Sequence, residues 1–374
     1  MSEKQRNLVI VSGYYGFGNL GDEAILEQLV SELKCLVLPD HIVVLSANPA
    51  ATEKAFGVKA APRADLCRLL QLCAQAQLLI SGGGGLFQDS RSVGSALFYS
   101  CHIAAARLAG AQAMIYAQGL GPLQSDLALW VSRCALSLCD VISVRDTRSA
   151  QLVSSWGLTA ELTADPVWAL QPSPLPIAYQ RELDKVVSGR ERSAARLVGL
   201  SLRPSVDLTD AHLTHLLQAL QIALPQDAVL VLLPLQKEKD YELLDRFYQS
   251  WVGLGRQGLL IDPAGLILPS QWLSLFSQLD FVVSMRLHAL IMALHSGVPV
   301  VGISYDPKVS SLLAEFEQPA LNLTKETSGP AWSSTIKEAM DRRAQLVATF
   351  AAKAEAAKNM ACQNFSLISR ILQR

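Results

Sequence analysis

Short apolar runs alternate with amphipathic helical patterns along most of the chain, and this alternation limits its fold more than any other feature. The segment "DEAILEQLVSELK" is one such helical pattern, with Ile25, Leu29 and Leu33 in one stripe. Strands that alternate with helices form parallel βαβ units, so the pattern predicts doubly wound α/β sheets. The apolar runs that we expect to be strands cover 8–13, 42–47, 78–83, 113–119, 141–146, 197–203, 229–236, 258–262, 281–286 and 300–305.

A proline-rich stretch divides the pattern in two. Residues 165–180, "DPVWALQPSPLPIAYQ", predict an extended connector, and 374 residues are too many for one compact core. We expect an N-terminal Rossmann-like domain over 1–170, a C-terminal Rossmann-like domain over 171–330, and a C-terminal helical segment over 331–374. Two doubly wound domains that face each other across a cleft form a GT-B-like fold, whose ligands bind beyond the carboxyl ends of the strands.

Composition limits the binding partners and the cellular compartment that we expect for this chain. A net charge of -1 gives no reason to expect a nucleic-acid-binding surface. The N-terminus lacks the layout of a signal peptide, and no run of 18 apolar residues predicts a membrane span. Seven cysteines without a C-x-x-C pair indicate a reducing compartment and predict neither a disulfide framework nor a metal site. We therefore expect a cytoplasmic protein; peripheral contact with the inner face of the membrane stays open.

The first strand leads into a glycine-rich loop, "GYYGFGNLGDEAIL". Its "GFGNLG" has the spacing of a dinucleotide-binding loop, but the second strand ends "VLSANPA", without an acidic residue for a ribose. Asp22 also stands where a pyrophosphate would bind, so NAD is disfavoured. Either Asp22 merely caps the helix, or the loop binds another polar ligand. In the second case Asn19 and Asp22 hold sugar hydroxyls, and the backbone of the loop holds a diphosphate through its glycines, Gly16, Gly18 and Gly21.

Two more glycine-rich stretches follow strands of the first half. The segment "SGGGGLFQDS" contains Gly83, Gly84 and Asp89, and the other stretch is "AQGLGPL". Each glycine costs chain entropy, so the close approach of a ligand or of a neighbouring loop explains them better than ordinary packing. Three such loops at one sheet edge predict a binding rim.

Cationic residues also follow strands. Arg145 lies after "VISV", and Arg286 and His288 lie where the strand "FVVS" turns into a helix. A guanidinium at such an edge binds carboxylate or phosphate, and a histidine exchanges protons near neutral pH. The alternatives are a surface ion pair of Arg145 with Asp146 or another carboxylate, a surface charge for Arg286, and a helix-start position for His288. Arg203 and Lys308 are further candidate anion contacts.

Four segments together resemble the polysaccharide pyruvyl transferase family, in particular its CsaB-type members: "SGYYGFGNLGDEAIL", "GGGGLFQDS", "SVRD" and "MRLHALIMALHSGVPVVGISYDPK". The resemblance implies a GT-B-like fold and a pyruvate ketal placed on a hexose of a cell-wall or exopolysaccharide precursor. Phosphoenolpyruvate is the implied co-substrate, without another cofactor. The implied acceptor is a lipid-linked or polymeric saccharide, with N-acetylmannosamine in the CsaB type. The donor site implied by the resemblance consists of Arg145, Arg286, Leu287 and His288, and the glycine-rich loops lie on the acceptor side.

The chemistry of the residues suits this activity. Phosphoenolpyruvate carries a carboxylate and a phosphate, which guanidiniums bind well. Its methylene carbon must receive a proton, and His288 is the candidate acid. Asp22 or Asp89 is the candidate to orient or deprotonate the acceptor hydroxyl. Two other functions stay open: a GT-B nucleotide-sugar glycosyltransferase, and a non-catalytic module that binds a lipid-linked saccharide.

Overall fold

The computed structural model describes residues 6–89, 92–187, 197–323 and 328–373. The first five residues and Ser90, which the sequence predictions included, lie outside these ranges. The chain divides into two compact units, one formed by Met1–Leu170 with Ala357–Arg374 and the other by Gln171–Ala356. The division after Leu170 falls within the proline-rich stretch. Of the predicted C-terminal segment, residues 331–356 belong to the second unit and residues 357–374 to the first.

The first unit is built on a parallel seven-stranded sheet. Its strands are β1 (Leu8–Ser12), β2 (Ile42–Ser46), β3 (Lys59–Pro62), β4 (Ala76–Ser81), β5 (Gln112–Gln118), β6 (Val141–Val144) and β7 (Glu161–Leu162), in the order β3-β2-β1-β4-β5-β6-β7. In register, Val9 of β1 faces Ile42 on one side and Leu78 on the other. The central strands are apolar and buried, as expected for a parallel sheet with both faces covered.

The second unit repeats this architecture with six parallel strands. They are β8 (Leu197–Ser201), β9 (Val229–Leu232), β10 (Gln257–Leu260), β11 (Phe281–Ser284), β12 (Val300–Ser304) and β13 (Ala320–Asn322), in the order β10-β9-β8-β11-β12-β13. Val282 of β11 pairs with Gly199 of β8 and Val300 of β12. Each unit has its own apolar core.

Helices connect the strands and cover the sheets. Those of the first unit are α1 (Leu20–Lys34), α2 (Pro49–Phe56), α3 (Leu66–Cys73), α4 (Gly94–Leu108), α5 (Asp126–Ser137) and α6 (Thr147–Ser155). Those of the second unit are α7 (Ile177–Val187), α8 (Asp210–Ala223), α9 (Lys237–Gly253), α10 (Pro269–Phe276), α11 (Leu287–His295), α12 (Pro307–Glu315) and α13 (Gly329–Asp341). The final helix, α14 (Arg343–Leu372), begins in the second unit and ends in the first.

Local sequence explains many helix boundaries. Asp65 caps α3 by accepting from the Arg68 amide, and Asp146 caps α6 in the same way. After α11, Gly297 adopts a left-handed conformation (φ 74°), which ends the helix. Over the part of the chain that is described, no helix combines the length and apolar character needed to cross a bilayer.

Candidate active site

Both sheets reverse their strand order beside their first strand, between β1 and β4 in the first unit and between β8 and β11 in the second. Doubly wound sheets bind ligands at the carboxyl ends of the strands near such switch points. The predicted site residues all follow strands at these two edges.

The loop after β1 is left-handed at Gly16 (φ 78°) and Gly18 (φ 63°). A Cβ on Gly16 would lie 2.1 Å from Oγ of Ser46 and 2.5 Å from the backbone nitrogen of Asn48. Packing against the end of β2 therefore requires glycine at position 16. The Gly16 amide donates a hydrogen bond of 2.8 Å to Oε1 of Glu23.

Glu23 thus accepts from the loop that the sequence predicts as a diphosphate cradle. Burial raises the pKa of the Glu23 carboxyl from 4.5 to about 7, and the neighbouring charge of Asp22 adds to the rise. Hydrogen bonds from the backbone of Gly16, Phe17 and Gly18 oppose it. The amides of this loop are therefore directed at a carboxyl group of the chain itself.

The other predicted residues of this loop lie at the start of α1. Asn19 occupies the N-cap position that one sequence alternative gave to Asp22, but its side chain does not cap the helix and instead donates to the Asp22 carboxylate. Gly21 and Asp22 belong to the first turn. A Cβ on Gly84 (φ 97°) would lie 3.0 Å from Oδ1 of Asp22, so this carboxylate lies close to the loop after β4.

Packing explains the glycines after β4. A Cβ on Gly82 would lie 1.9 Å from the hydroxyl of Tyr15, and one on Gly83 would lie 3.0 Å from Cγ2 of Ile25. The carbonyl of Gly84 accepts from the Gly119 amide at 2.8 Å. The close approach predicted from these glycines is that of neighbouring chain segments.

Asp89 fixes the start of α5. Its two carboxylate oxygens accept from the amides of Gln124 (2.8 Å) and Ser125 (2.7 Å), and from the Ser125 hydroxyl (2.8 Å). The Ser125 amide contributes most to lowering the pKa of this carboxyl. These contacts favour a structural role for Asp89 over that of a base.

Arg145 follows β6 and forms an ion pair with Asp165. The two side chains are only 8% and 5% exposed, so the surface pairing considered from the sequence does not describe them. The guanidinium also lies against Gly119, where a Cβ would come within 2.7 Å of Nε. Asp146, the other carboxylate considered for Arg145, caps α6 instead.

At the edge of the second sheet, Arg286 follows β11 and pairs with Asp240 of α9. The Asp240 side chain is fully buried, and that of Arg286 is 10% exposed. The Arg286 amide donates to Oγ of Ser284 at 2.9 Å, which fixes the turn into α11. Burial raises the pKa of the Asp240 carboxyl, whereas Arg286 and Arg203 lower it.

Arg203 follows β8 and completes this group of charges. Its Nη1 donates to the Tyr305 hydroxyl at 3.1 Å. Burial raises the pKa of Tyr305, and the charges of Arg203 and Arg286 both oppose the rise. Arg203, Asp240, Arg286 and Tyr305 form what we call the arginine cluster. The cluster joins the two strands that flank the switch point of the second sheet.

His288 lies in the first turn of α11, two residues after Arg286, and its Nε2 atom is shielded from solvent. Leu287 begins the same helix and is half-buried. Lys308 lies in the first turn of α12, where its amide donates to Oδ1 of Asp306 at 2.8 Å. The second unit therefore carries Arg203, Arg286, Leu287, His288 and Lys308 at the same sheet edge.

Sequence reasoning missed the partners of the two arginines. Asp165 follows β7 and Asp240 lies four residues after Gln236, the N-cap of α9. A signal was available, because each aspartate comes soon after a strand, at the edge where the arginine also lies. The pairing itself depends on segments that are 20 and 46 residues apart in sequence.

Comparison with known proteins identifies the family. A family model described as polysaccharide pyruvyl transferase matches residues 19–307. That range contains every predicted site residue except Gly16, Gly18 and Lys308. No curated protein sequence matches the chain.

Solved structures share the fold over almost the whole length. HepE of Anabaena in complex with UDP is 15% identical, with a TM-score of 0.60 over 98% of this chain and 99% of that one. A UDP-N-acetylglucosamine 2-epimerase described as putative, from Listeria monocytogenes, is 12% identical, with a TM-score of 0.67 over 98% and 97%. A glycosyltransferase from Rickettsia africae is 11% identical, with a TM-score of 0.58 over 98% and 96%. The predicted GT-B-like class of two Rossmann-like domains is confirmed.

Proposed function

Because the chain belongs to the polysaccharide pyruvyl transferase family, we propose that it transfers pyruvate from phosphoenolpyruvate to two hydroxyls of a hexose. The product is a cyclic pyruvate ketal on a cell-wall or exopolysaccharide precursor, and phosphate is released. The acceptor that we propose is the CsaB-type one, an N-acetylmannosamine unit on a lipid-linked saccharide. Such an acceptor would place the enzyme in the cytoplasm, in peripheral contact with the inner face of the membrane.

The arginine cluster is the observation that supports a donor with two anionic groups. Arg286 pairs with the buried carboxylate of Asp240, and Arg203 acts on the same carboxylate through its charge, so these three side chains together carry a net charge of +1. A carboxylate and a phosphate on one small molecule match two guanidiniums that carry several donors each. In this proposal Asp240 holds Arg286 in place, and Lys308 adds a cation at the same edge.

His288 is the proposed general acid. It gives a proton to the methylene carbon of the donor, which becomes the methyl group of the product, and positive charge develops at the adjacent carbon. One acceptor hydroxyl then attacks that carbon and loses its proton. The second hydroxyl attacks the same carbon as its bond to the phosphate oxygen breaks; the proton of this hydroxyl leaves with the released phosphate, and the ketal ring closes. A positioned acid of this kind contributes about 10²–10⁴-fold to the rate.

The first unit supplies the proposed acceptor contacts. Asp22 is the better candidate base, because Asp89 already uses both carboxylate oxygens to hold the start of α5. Asn19 orients Asp22 through their hydrogen bond. Arg145 stays a proposed donor contact, with Asp165 as the carboxylate that orients it.

The test is an assay with phosphoenolpyruvate and lipid- or nucleotide-linked amino sugars, read by phosphate release and by the mass of the saccharide product. Arg286→Ala should chiefly raise the KM for phosphoenolpyruvate. Lys237→Ala is the control, because Lys237 forms an exposed ion pair with Asp262 outside the arginine cluster. Failure to release phosphate with any of these acceptors would argue strongly against the proposal.

A glycosyltransferase that uses a nucleotide sugar is the second candidate, since HepE, which shares the fold, was solved with UDP. This candidate predicts that UDP raises the melting temperature of the protein and that phosphoenolpyruvate does not. The third candidate, a non-catalytic saccharide-binding module, predicts that His288→Ala leaves all measurable function intact.

A further inference from the structure

An arginine that the sequence analysis did not single out lies at the carboxyl edge of the first sheet. Arg63 directly follows β3, and its guanidinium carbon lies 4.4 Å from the ring centroid of Phe98 and 5.0 Å from that of Phe17. The rings of Tyr99 and Tyr14 are 5.6 and 5.9 Å away. We call these four rings the aromatic frame. Distances of this size are those of cation–π contacts, so the frame holds the cation among ring faces.

Aromatic rings and a hydroxyl group surround the guanidinium of Arg63. Arg145 and Arg286 each face a buried aspartate. Among the ion pairs of the described residues none involves Arg63. Its Nη2 donates to the neutral Tyr99 hydroxyl at 2.9 Å. Its Nε is also buried, and no described residue accepts a hydrogen bond from it. A buried donor without an acceptor is unfavourable, so this cation is suited to receive an anion.

The position of Arg63 links it to the glycine-rich loop after β1. Two members of the aromatic frame, Tyr14 and Phe17, belong to that loop and stack with centroids 4.2 Å apart and an interplanar angle of 12°. The loop amides, meanwhile, are directed at the Glu23 carboxyl. An anionic group that approaches this edge thus finds an unpaired guanidinium beside the loop, whereas the amides already have an internal acceptor.

We propose that Arg63 is an acceptor-binding residue that holds a phosphate group carried by the saccharide. The inference rests on the proposed function, in which the first unit binds the acceptor. A guanidinium presents a planar fork of donors that matches phosphate oxygens in pairs. The aromatic frame fixes the plane of this fork before the ligand arrives, which lowers the entropy lost on binding. A neutral saccharide would give this charge no counterpart.

The test measures binding by calorimetry in the absence of phosphoenolpyruvate, so it does not depend on turnover. The probes are the 1-phosphates of N-acetylglucosamine, N-acetylmannosamine and glucose, each compared with its unphosphorylated sugar and with inorganic phosphate. The wild-type protein should bind at least one sugar phosphate about tenfold or more tightly than the matching sugar, the usual effect of a charge-assisted hydrogen bond. Arg63→Met fills the aromatic frame without charge and should abolish that preference.

Three further variants show which residue causes the preference for the sugar phosphate. Arg63→Lys should keep only part of the preference, because an ammonium lacks the planar fork. Arg68→Met, which removes an exposed arginine of α3, should keep all of it. Arg286→Ala should also keep the preference for the sugar phosphate, because Arg286 belongs to the proposed donor site. If the preference were lost in Arg286→Ala and kept in Arg63→Met, the phosphate would bind to the second unit, and the inference would be overturned.

The remaining outcomes also decide whether the inference stands. Equal affinity for each sugar and its phosphate in the wild-type protein would overturn the inference, as would inorganic phosphate binding as tightly as every sugar phosphate. A preference that depends on Arg63 would support it even if no pyruvyl transfer occurs. Conversely, pyruvyl transfer to a neutral saccharide with an unchanged KM in Arg63→Met would leave the proposed function standing without this inference.

Discussion

The two sheets reverse their strand order in the same way, but their carboxyl edges differ in chemistry. At the edge of the first sheet, glycines pack against neighbouring segments, and the loop amides are directed at the carboxyl of Glu23. At the edge of the second sheet, Arg203 and Arg286 gather around one buried carboxylate. Topology therefore gives each unit a carboxyl edge with a switch point but does not decide the charge of that edge, which comes from the few residues that follow each strand.

This difference suggests a division of labour between the units. An edge with excess positive charge and a histidine suits a small anionic donor that must be protonated. An edge lined by loops, a carboxylate and aromatic rings suits a larger polar acceptor. A change to one residue of one edge should therefore affect the function or the packing assigned to that edge.

The largest expected effect is on turnover, from the second edge. His288→Ala should lower kcat by about 10²–10⁴-fold, because it removes the proposed proton donor. The KM for phosphoenolpyruvate should change far less than kcat, and phosphate release under saturating donor is the measurement. The control is His41→Ala, since His41 lies before β2, at the opposite edge of the first sheet. Equal turnover in His288→Ala and His41→Ala would show that His288 is not the proton donor.

The next largest effect is on stability, and it tests whether the ion pair between Arg286 and Asp240 stabilises the arginine cluster. Asp240→Asn should reduce the free energy of unfolding by about 3–5 kcal/mol, because it leaves the buried guanidinium of Arg286 without its counter-charge. Chemical denaturation monitored by circular dichroism gives the value. Asp262→Asn, which breaks an exposed ion pair with Lys237, should cost about 1 kcal/mol or less. Similar losses in both variants would show that burial does not strengthen the pair.

The fold could be predicted from the sequence to a large extent, because buried parallel strands are continuous apolar runs. Each of the ten apolar runs overlaps a strand of the structure. The strands that the sequence did not predict are β3, β7 and β13. They are outermost strands of their sheets, and they are short and partly exposed. Pairing with a neighbouring strand stabilises them, and no apolar run of their own marks them.

The site could be predicted less completely. The positions of Arg145, Arg286 and His288 after strands follow from local pattern, since a strand and the turn after it are adjacent in sequence. Their roles stay predictions. The partners Asp165 and Asp240 could not be found in this way, because those contacts form only when distant segments pack together. The role of Glu23 was also missed, since an acidic residue in the first turn of a helix is ordinary.

The third prediction concerns pH and the first edge. Because burial raises the pKa of Glu23 from 4.5 to about 7, the folded state binds its proton more tightly than the unfolded state. Its contribution to stability is full below pH 4.5 and is lost as the pH rises through 7, a loss of about 3 kcal/mol. Glu23→Gln should remove that loss. The measurement is the free energy of unfolding between pH 4.5 and 8.

Glu32→Gln is the matched control, because Glu32 lies on the same helix and burial also raises its pKa to about 7. Its carboxyl accepts from the Tyr116 hydroxyl at 2.9 Å, not from the loop. Both variants should flatten the pH dependence of stability. Faster hydrogen exchange at the amides of Gly16 and Phe17 is expected in Glu23→Gln alone, and its absence would mean that the carboxyl does not hold the loop.

The smallest expected effect separates packing from ligand binding in the glycine-rich loop. Gly16 and Gly157 have nearly the same left-handed backbone, with φ of 78° and 75°. A Cβ on Gly157 meets nothing within 4 Å, whereas one on Gly16 collides with the end of β2. Gly157→Ala should therefore cost about 1 kcal/mol of backbone strain, and Gly16→Ala about 1–3 kcal/mol more from overpacking, both measured by thermal unfolding. Equal costs would mean that the loop has room at Gly16, and a ligand would again be the better explanation for a glycine at this edge.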